Sequence, residues 1–186
     1  MWNSGNGQIV HQKDSQVECA DGYMQHTFLS PDWIRTFVHK LECAQESDAH
    51  FKGLVEDLSL TVVYTINDIP ESVGLWYGCR QRVFITVRLD GGIVHSVRVG
   101  GAPCRDEFHL GVSLSYDTAK QLLKGELSPA RTVVNRSVKV RPVSGFSEWP
   151  RIATRSVITA SKVLRVARNL LTEFEPDLDE CAARAQ

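Results

Sequence analysis

The densest group of reactive side chains lies in Cys104-Arg105-Asp106-Glu107-Phe108-His109. A histidine lowers the pKa of a neighbouring thiol, so Cys104, Asp106 and His109 could make a thiolate pair if the loop folded them together. A polar loop rim is the stronger reading. Ser113, in Gly111-Val112-Ser113-Leu114-Ser115, fails the G-x-S-x-G pattern of a nucleophile elbow because Ser115 replaces the second glycine. Glu56-Asp57 and Asp106-Glu107 are neighbouring carboxylates, which seldom converge on one substrate and read as solvated turns. His95 alternates with Ile93 and Val97 and is expected to point into an apolar face, where a core histidine bonded to Tyr64 or to backbone outweighs a catalytic one. Gly5-Asn6-Gly7 lacks the third glycine, preceding strand and following helix of a nucleotide fingerprint, and no G-x-x-x-x-G-K-[ST] is present.

Metal chemistry has as little support. The six histidines include no H-E-x-x-H and no pair at i, i+4. The five cysteines (Cys19, Cys43, Cys79, Cys104, Cys181) are scattered, odd in number and without C-x-x-C, as expected of reduced thiols in the cytosol. Neither cofactor nor metal is expected. The 186 residues are 42% hydrophobic and 23% charged, which excludes extended disorder and small disulfide scaffolds. A chain this long can bury roughly 70% of its unfolded surface in one core. No run approaches the roughly 18 apolar residues of a membrane span, and residues 1–16 lack the features of a signal peptide, so a cytoplasmic protein is expected.

Residues 1–27 are polar and without period, and read as a leader that is loose or laid on the surface. The domain is expected over residues 28–174. Ser30-Pro31-Asp32 is a helix start, followed by Trp33, Ile34, Phe37, Val38 and Leu41 at helical spacing, with a second short helix through Phe51 and Leu54. From Leu58 the period changes to two, and Leu58, Leu60, Val62, Tyr64 and Ile66 form one face of a strand. Val83 to Leu89 and Ile93 to Val99 alternate on either side of Asp90-Gly91-Gly92, a hairpin. Another strand follows through Phe108, Leu110, Val112 and Leu114. Then come a helix capped by Ser115 and ended by Gly125, a short helix or turn over Ala130 to Val134, and a strand over residues 137–142. A long helix from about Glu148 to Phe174 and an acidic tail over residues 175–186 complete the chain. The pattern predicts an α+β domain with a five-stranded, largely antiparallel sheet covered by helices on one side.

Charge is uneven although the net charge is only -1: nine basic residues and one acidic residue lie between Arg131 and Arg168. A basic amphipathic helix can attract an anionic membrane or nucleic acid, while the plain alternative is a solvated face partly neutralised by the acidic tail. Nucleic acid is not expected, because the stripe has no interleaved aromatics for base stacking.

The stretch Leu114-Ser115-Tyr116-Asp117-Thr118-Ala119-Lys120-Gln121-Leu122-Leu123-Lys124-Gly125-Glu126-Leu127-Ser128-Pro129-Ala130, followed by Ser137-Val138-Lys139-Val140, resembles the sterol carrier protein 2 family. In that family a helix ends at a Gly-charged-Leu-x-Pro step and leads through a short Ala-containing helix to a strand of alternating Lys and aliphatic residues. The hairpin at Asp90-Gly91-Gly92 and the long final helix look similar too, so the resemblance covers about residues 28–174. The sequence departs from it at Asn135-Arg136 and at Pro142-Val143, where the family commonly has glycine.

The resemblance implies an apolar tunnel between sheet and helices that binds a sterol, fatty acyl chain or other lipid-like molecule, for transfer inside the cell, without altering it. Tyr64, Phe84, His95, Phe108, Leu110, Leu122, Val163 and Leu170 are the expected lining. Arg151, Arg155, Lys162 and Arg165 would then form a docking surface for an anionic membrane or a partner. Two rivals stand beside this non-catalytic carrier. One is an enzyme acting on an apolar intermediate in the same cavity with His95, Tyr64 or the Cys104 loop. The other is a solid-cored interaction module with a basic helix.

Overall fold

The computed structural model describes residues 25–102, 108–142 and 149–174, with no side chain described at 149–154, 156 and 157. In chain order the elements are β1 (His26–Thr27), α1 (Pro31–Ser47), α2 (Ala49–Val55), β2 (Leu60–Asn67), α3 (Glu71–Tyr77), β3 (Arg82–Asp90), β4 (Ile93–Gly100), β5 (Leu110–Ser115), α4 (Tyr116–Lys124), α5 (Pro129–Val134), β6 (Lys139–Pro142), α6 (Trp149–Arg168) and β7 (Thr172–Glu173).

Capping chemistry sets the helix starts. The hydroxyls of Ser30, Ser115 and Ser128 each accept the backbone N–H three residues on, and Pro31 and Pro129 follow two of them with φ already helical. Asp48 ends α1 and caps α2 by accepting from the Phe51 N–H at 2.9 Å. Gly125 ends α4 at φ 81°, where a side chain would be strained. Trp33, Ile34, Val38 and Leu41 are the buried face of α1, as their spacing predicts.

The five-stranded sheet has the order β4-β3-β2-β5-β6, with β2 and β5 parallel and every other neighbour antiparallel. Its inner face carries Leu60, Val62, Tyr64 and Ile66 of β2, opposed by Leu89, Val87, Ile85 and Val83 of β3. Helices cover this face: α1 packs on β4, α4 on β2 and β5, and α6 on α1, α2, α4 and α5. The outer face carries Thr61, Thr65, Phe84, Thr86, Arg88, Ser96 and Arg98.

The hairpin forms as expected but is bulged. Gly91 and Gly92 take φ of 53° and 77°, and the Val55 carbonyl oxygen sits well inside contact distance of the point where a Gly92 Cβ would stand. Arg88 opposes Ser96 while Leu89 opposes Val94, so His95 is the extra residue. The bulge resets the alternation: Val94, Val97 and Val99 face the core, and Ile93 and His95 are exposed. The expectation that Ile93 and His95 point inward is thereby corrected.

Three other elements differ from expectation. Helix α3 has no counterpart in the sequence pattern: its seven residues are too few to show a period, and Gly78 stops it at φ 63°. Helix α6 ends at Arg168 rather than near Phe174, because Thr172 and Glu173 leave the helix to pair in parallel with His26 and Thr27. The indole Nε1–H of Trp33 donates to Thr172 Oγ1 at 2.9 Å, and Phe28 packs on Trp33, Tyr116 and Phe174. Residues 26 and 27, placed in the leader by composition, are therefore part of the fold. Residues 1–24 of that leader and the acidic tail lie outside the described residues.

Candidate functional site

Across the inner face runs one continuous apolar row, Val99-Ile85-Tyr64-Val112-Val140, one residue from each strand. Strand alternation alone aligns them, since each pair is in register. Val99 is 3% exposed at one end, but Ile85, Tyr64, Val112 and Val140 all keep accessible surface. Of the flanking positions, Val62, Val97 and Leu110 on one side and Ile66 and Val83 on the other are buried, while Val87 and Leu114 are half-buried like the row itself. Burial nevertheless pushes the Tyr64 phenol above its ordinary pKa. Tyr64 is thus half-buried, with its phenol on the desolvated side.

The expected lining residues divide. Tyr64, Leu110, Val163 and Leu170 pack on the inner side of the sheet. Leu122 is buried on α4, where its carbonyl accepts from the Arg168 guanidinium at 2.7 and 3.0 Å. Phe84 opposes Thr65 on the outer face, because it is out of phase with Val83 and Ile85. Phe108 lies outside its strand, which begins at Leu110, and its ring edge is 3.5 Å from where a Gly111 Cβ would stand, again on the outer face. His95 is at the bulge. The row members Ile85, Val112 and Val140 are absent from the expected lining, although the alternation that selects Tyr64 contains them.

The basic residues singled out on α6 do not act as one surface. Arg155 donates to Asp57 at 2.8 Å, and Lys162 donates to Asp48 and lies over the Phe51 ring. Both tie α6 to the ends of α2. Arg165 is exposed beside Pro129 and Ser128, and the Arg151 side chain lies outside the described residues.

The groups considered for catalysis are not brought together. Cys104 and Asp106 lie outside the described residues. His109 Nδ1 accepts from the Thr61 N–H at 3.0 Å, which leaves Nε2 to carry the proton in the neutral ring. Its neighbourhood is a polar concavity of about 360 Å³ on the outer face, lined by Ser59, Thr61, Thr86, Arg88, Arg98 and His109. Among the described residues no three His, Cys, Asp or Glu side chains are grouped to hold a metal ion, and no helix is long and apolar enough to cross a membrane.

The fold is that of sterol carrier protein 2. A crystal structure of sterol carrier protein 2 matches 77% of this chain and 98% of its own, with a TM-score of 0.58 and 13% identity. The solution structure of a conserved hypothetical protein of Thermus thermophilus, whose description suggests a sterol carrier protein, matches 78% of this chain and 91% of its own, with a TM-score of 0.58 and 12% identity. No family model and no curated relative matches the sequence.

Proposed function

We propose that the chain binds one lipid-like molecule, a sterol or fatty acyl chain, between the inner face of the sheet and the helices above it, and carries it within the cell without altering it. The observation that carries this reading is that Ile85, Tyr64, Val112 and Val140, aligned across four strands, keep accessible surface on the apolar face that the helices cover. An apolar row that keeps accessible surface beneath covering helices is what the wall of an internal space presents. The likeness to sterol carrier protein 2 supports the same reading from the fold. Val163 of α6, which is also half-buried, is a further lining residue. Binding needs only shape and apolar contact, about 25 cal/mol per Å² buried before the costs of association, so selectivity is weak.

A fluorescent polyene fatty acid titrated into the protein, with cholesterol and palmitate as competitors, tests the proposal. Saturable binding that is abolished by Val112→Trp, with folding retained, is expected. Absence of saturable binding by any of the three ligands would defeat it.

A further inference from the structure

The residues that leave the interior on the far side of β5 form a second surface. Thr132 is 2% exposed, its hydroxyl bonded within the helix to the Pro129 carbonyl at 2.7 Å, and so marks the side of α5 that faces the body of the protein. At 100° per residue the next two positions must turn away from that side. Val133 is accordingly 46% exposed and Val134 79%. Helix α5 packs on α6, whose Ile158 is 47% exposed and lies on the same helical face as Arg165, two turns on. Three branched apolar side chains thus face water around one helix pair.

Basic groups neighbour the two valines in the chain. Residues 127–142 contain Arg131, Arg136, Lys139 and Arg141 and no acidic residue, and all four are exposed. With the exposed Arg165 they make five cations, and none of the five forms an ion pair with another described residue. This sets them apart from Arg155 and Lys162, whose charges are matched by Asp57 and Asp48. Charge on β6 alone has a simpler cause, since cations on an edge strand discourage edge-to-edge pairing. That cause leaves Val133, Val134, Ile158 and the arginines off the strand without a reason.

We propose that this face, made by α5, the edge strand β6 and Ile158 of α6, docks the protein on an anionic phospholipid bilayer. Valine and isoleucine side chains enter the boundary between headgroups and acyl chains, and the arginine and lysine side chains bind lipid phosphates. An acidic protein would use the cations but would gain little from valines on a projecting helix end. The inference stands on the exposed surface and does not depend on whether the interior holds a lipid.

Sedimentation with vesicles tests it, using the full chain without added cargo. Vesicles of phosphatidylcholine with about 30% phosphatidylserine should bind the protein at low salt, pure phosphatidylcholine should not, and binding should fade as added salt shortens the screening length to roughly 3 Å near 1 M. The double variant R136E/K139E should lower the partition coefficient about tenfold or more at unchanged Tm. R131E/R165E serves the same purpose if that variant fails to fold. V133S/V134S should weaken binding several-fold. Failure to bind anionic vesicles, equal binding to neutral ones, or charge-reversed variants that bind as the parent does would each overturn the proposal. Valine substitutions without effect would also overturn it, and would point to an acidic macromolecule instead.

Discussion

Lys162 of α6 donates to one oxygen of the Asp48 carboxylate, while the other oxygen accepts the N–H of Phe51 that opens α2. One side chain therefore starts a helix and anchors the longest helix of the fold to it. The ammonium of Lys162 is the main cause that holds the Asp48 carboxyl below its ordinary value of 3.8, with the Phe51 N–H second. A folded pKa lowered in this way contributes stability above the unfolded value, and that contribution is lost as pH falls through the folded one.

Asp48→Asn keeps a capping oxygen and loses the charge pair, whereas Asp48→Ala loses both. Thermal melts near neutral pH should rank the parent above Asn and Asn above Ala. The gap between parent and Asn should close as pH is lowered through and below the ordinary carboxylate range. A gap that persists in strong acid would show that the pairing with Lys162 is not its source.

The turn of the hairpin distinguishes two neighbouring glycines. Gly92→Ala, at φ 77°, would drive its Cβ into the Val55 carbonyl, whereas at Gly91 the nearest atom is 3.8 Å away. Alanine at Gly91 should cost about 1–2 kcal/mol, the strain of a left-handed residue, and at Gly92 clearly more because backbone must also move. Denaturant titrations of the two variants measure the difference, and equal losses would contradict the close approach of α2 to the turn.

His95, exposed on the bulge, should be dispensable. His95→Ala is expected to change stability by no more than about 0.5 kcal/mol and to leave lipid affinity within a few fold. Loss of ligand binding with folding intact would place the imidazole in the site after all.

Much of this architecture can be read from the chain, because alternation over Leu60–Asn67 and Arg82–Asp90 and the caps at Ser30 and Ser115 are local signals. The orientation of His95 cannot, because a bulge is a property of two paired strands, and nothing within β4 announces the residue that its partner skips. The pairing of Thr172 with His26 joins positions far apart in sequence, so a helical pattern extends through Phe174 without contradiction. Inward alternation places Tyr64 and Leu110 on the inner face; Phe84 is out of phase with Val83 and Ile85, and Phe108, although in phase with Leu110, precedes the strand and so escapes its alternation. The partners of Arg155 and Lys162 lie about a hundred residues away in the chain, which is why those cations look available in the sequence.

Val112 tests the interior from the side of packing. If the accessible row borders an internal space, Val112→Trp fills it, removes lipid binding and leaves Tm within a few degrees of the parent. If the interior is solid, the same substitution overpacks it and costs about 1–3 kcal/mol. A destabilised variant of a protein that binds no lipid would favour the solid core.

The most direct test is native mass spectrometry of the freshly purified protein, followed by organic extraction of whatever accompanies it. The account predicts one apolar adduct per chain, or in a delipidated sample a shift by one fatty acid or sterol when these are added. A single apo mass that neither ligand shifts, alongside a folded protein, would contradict it.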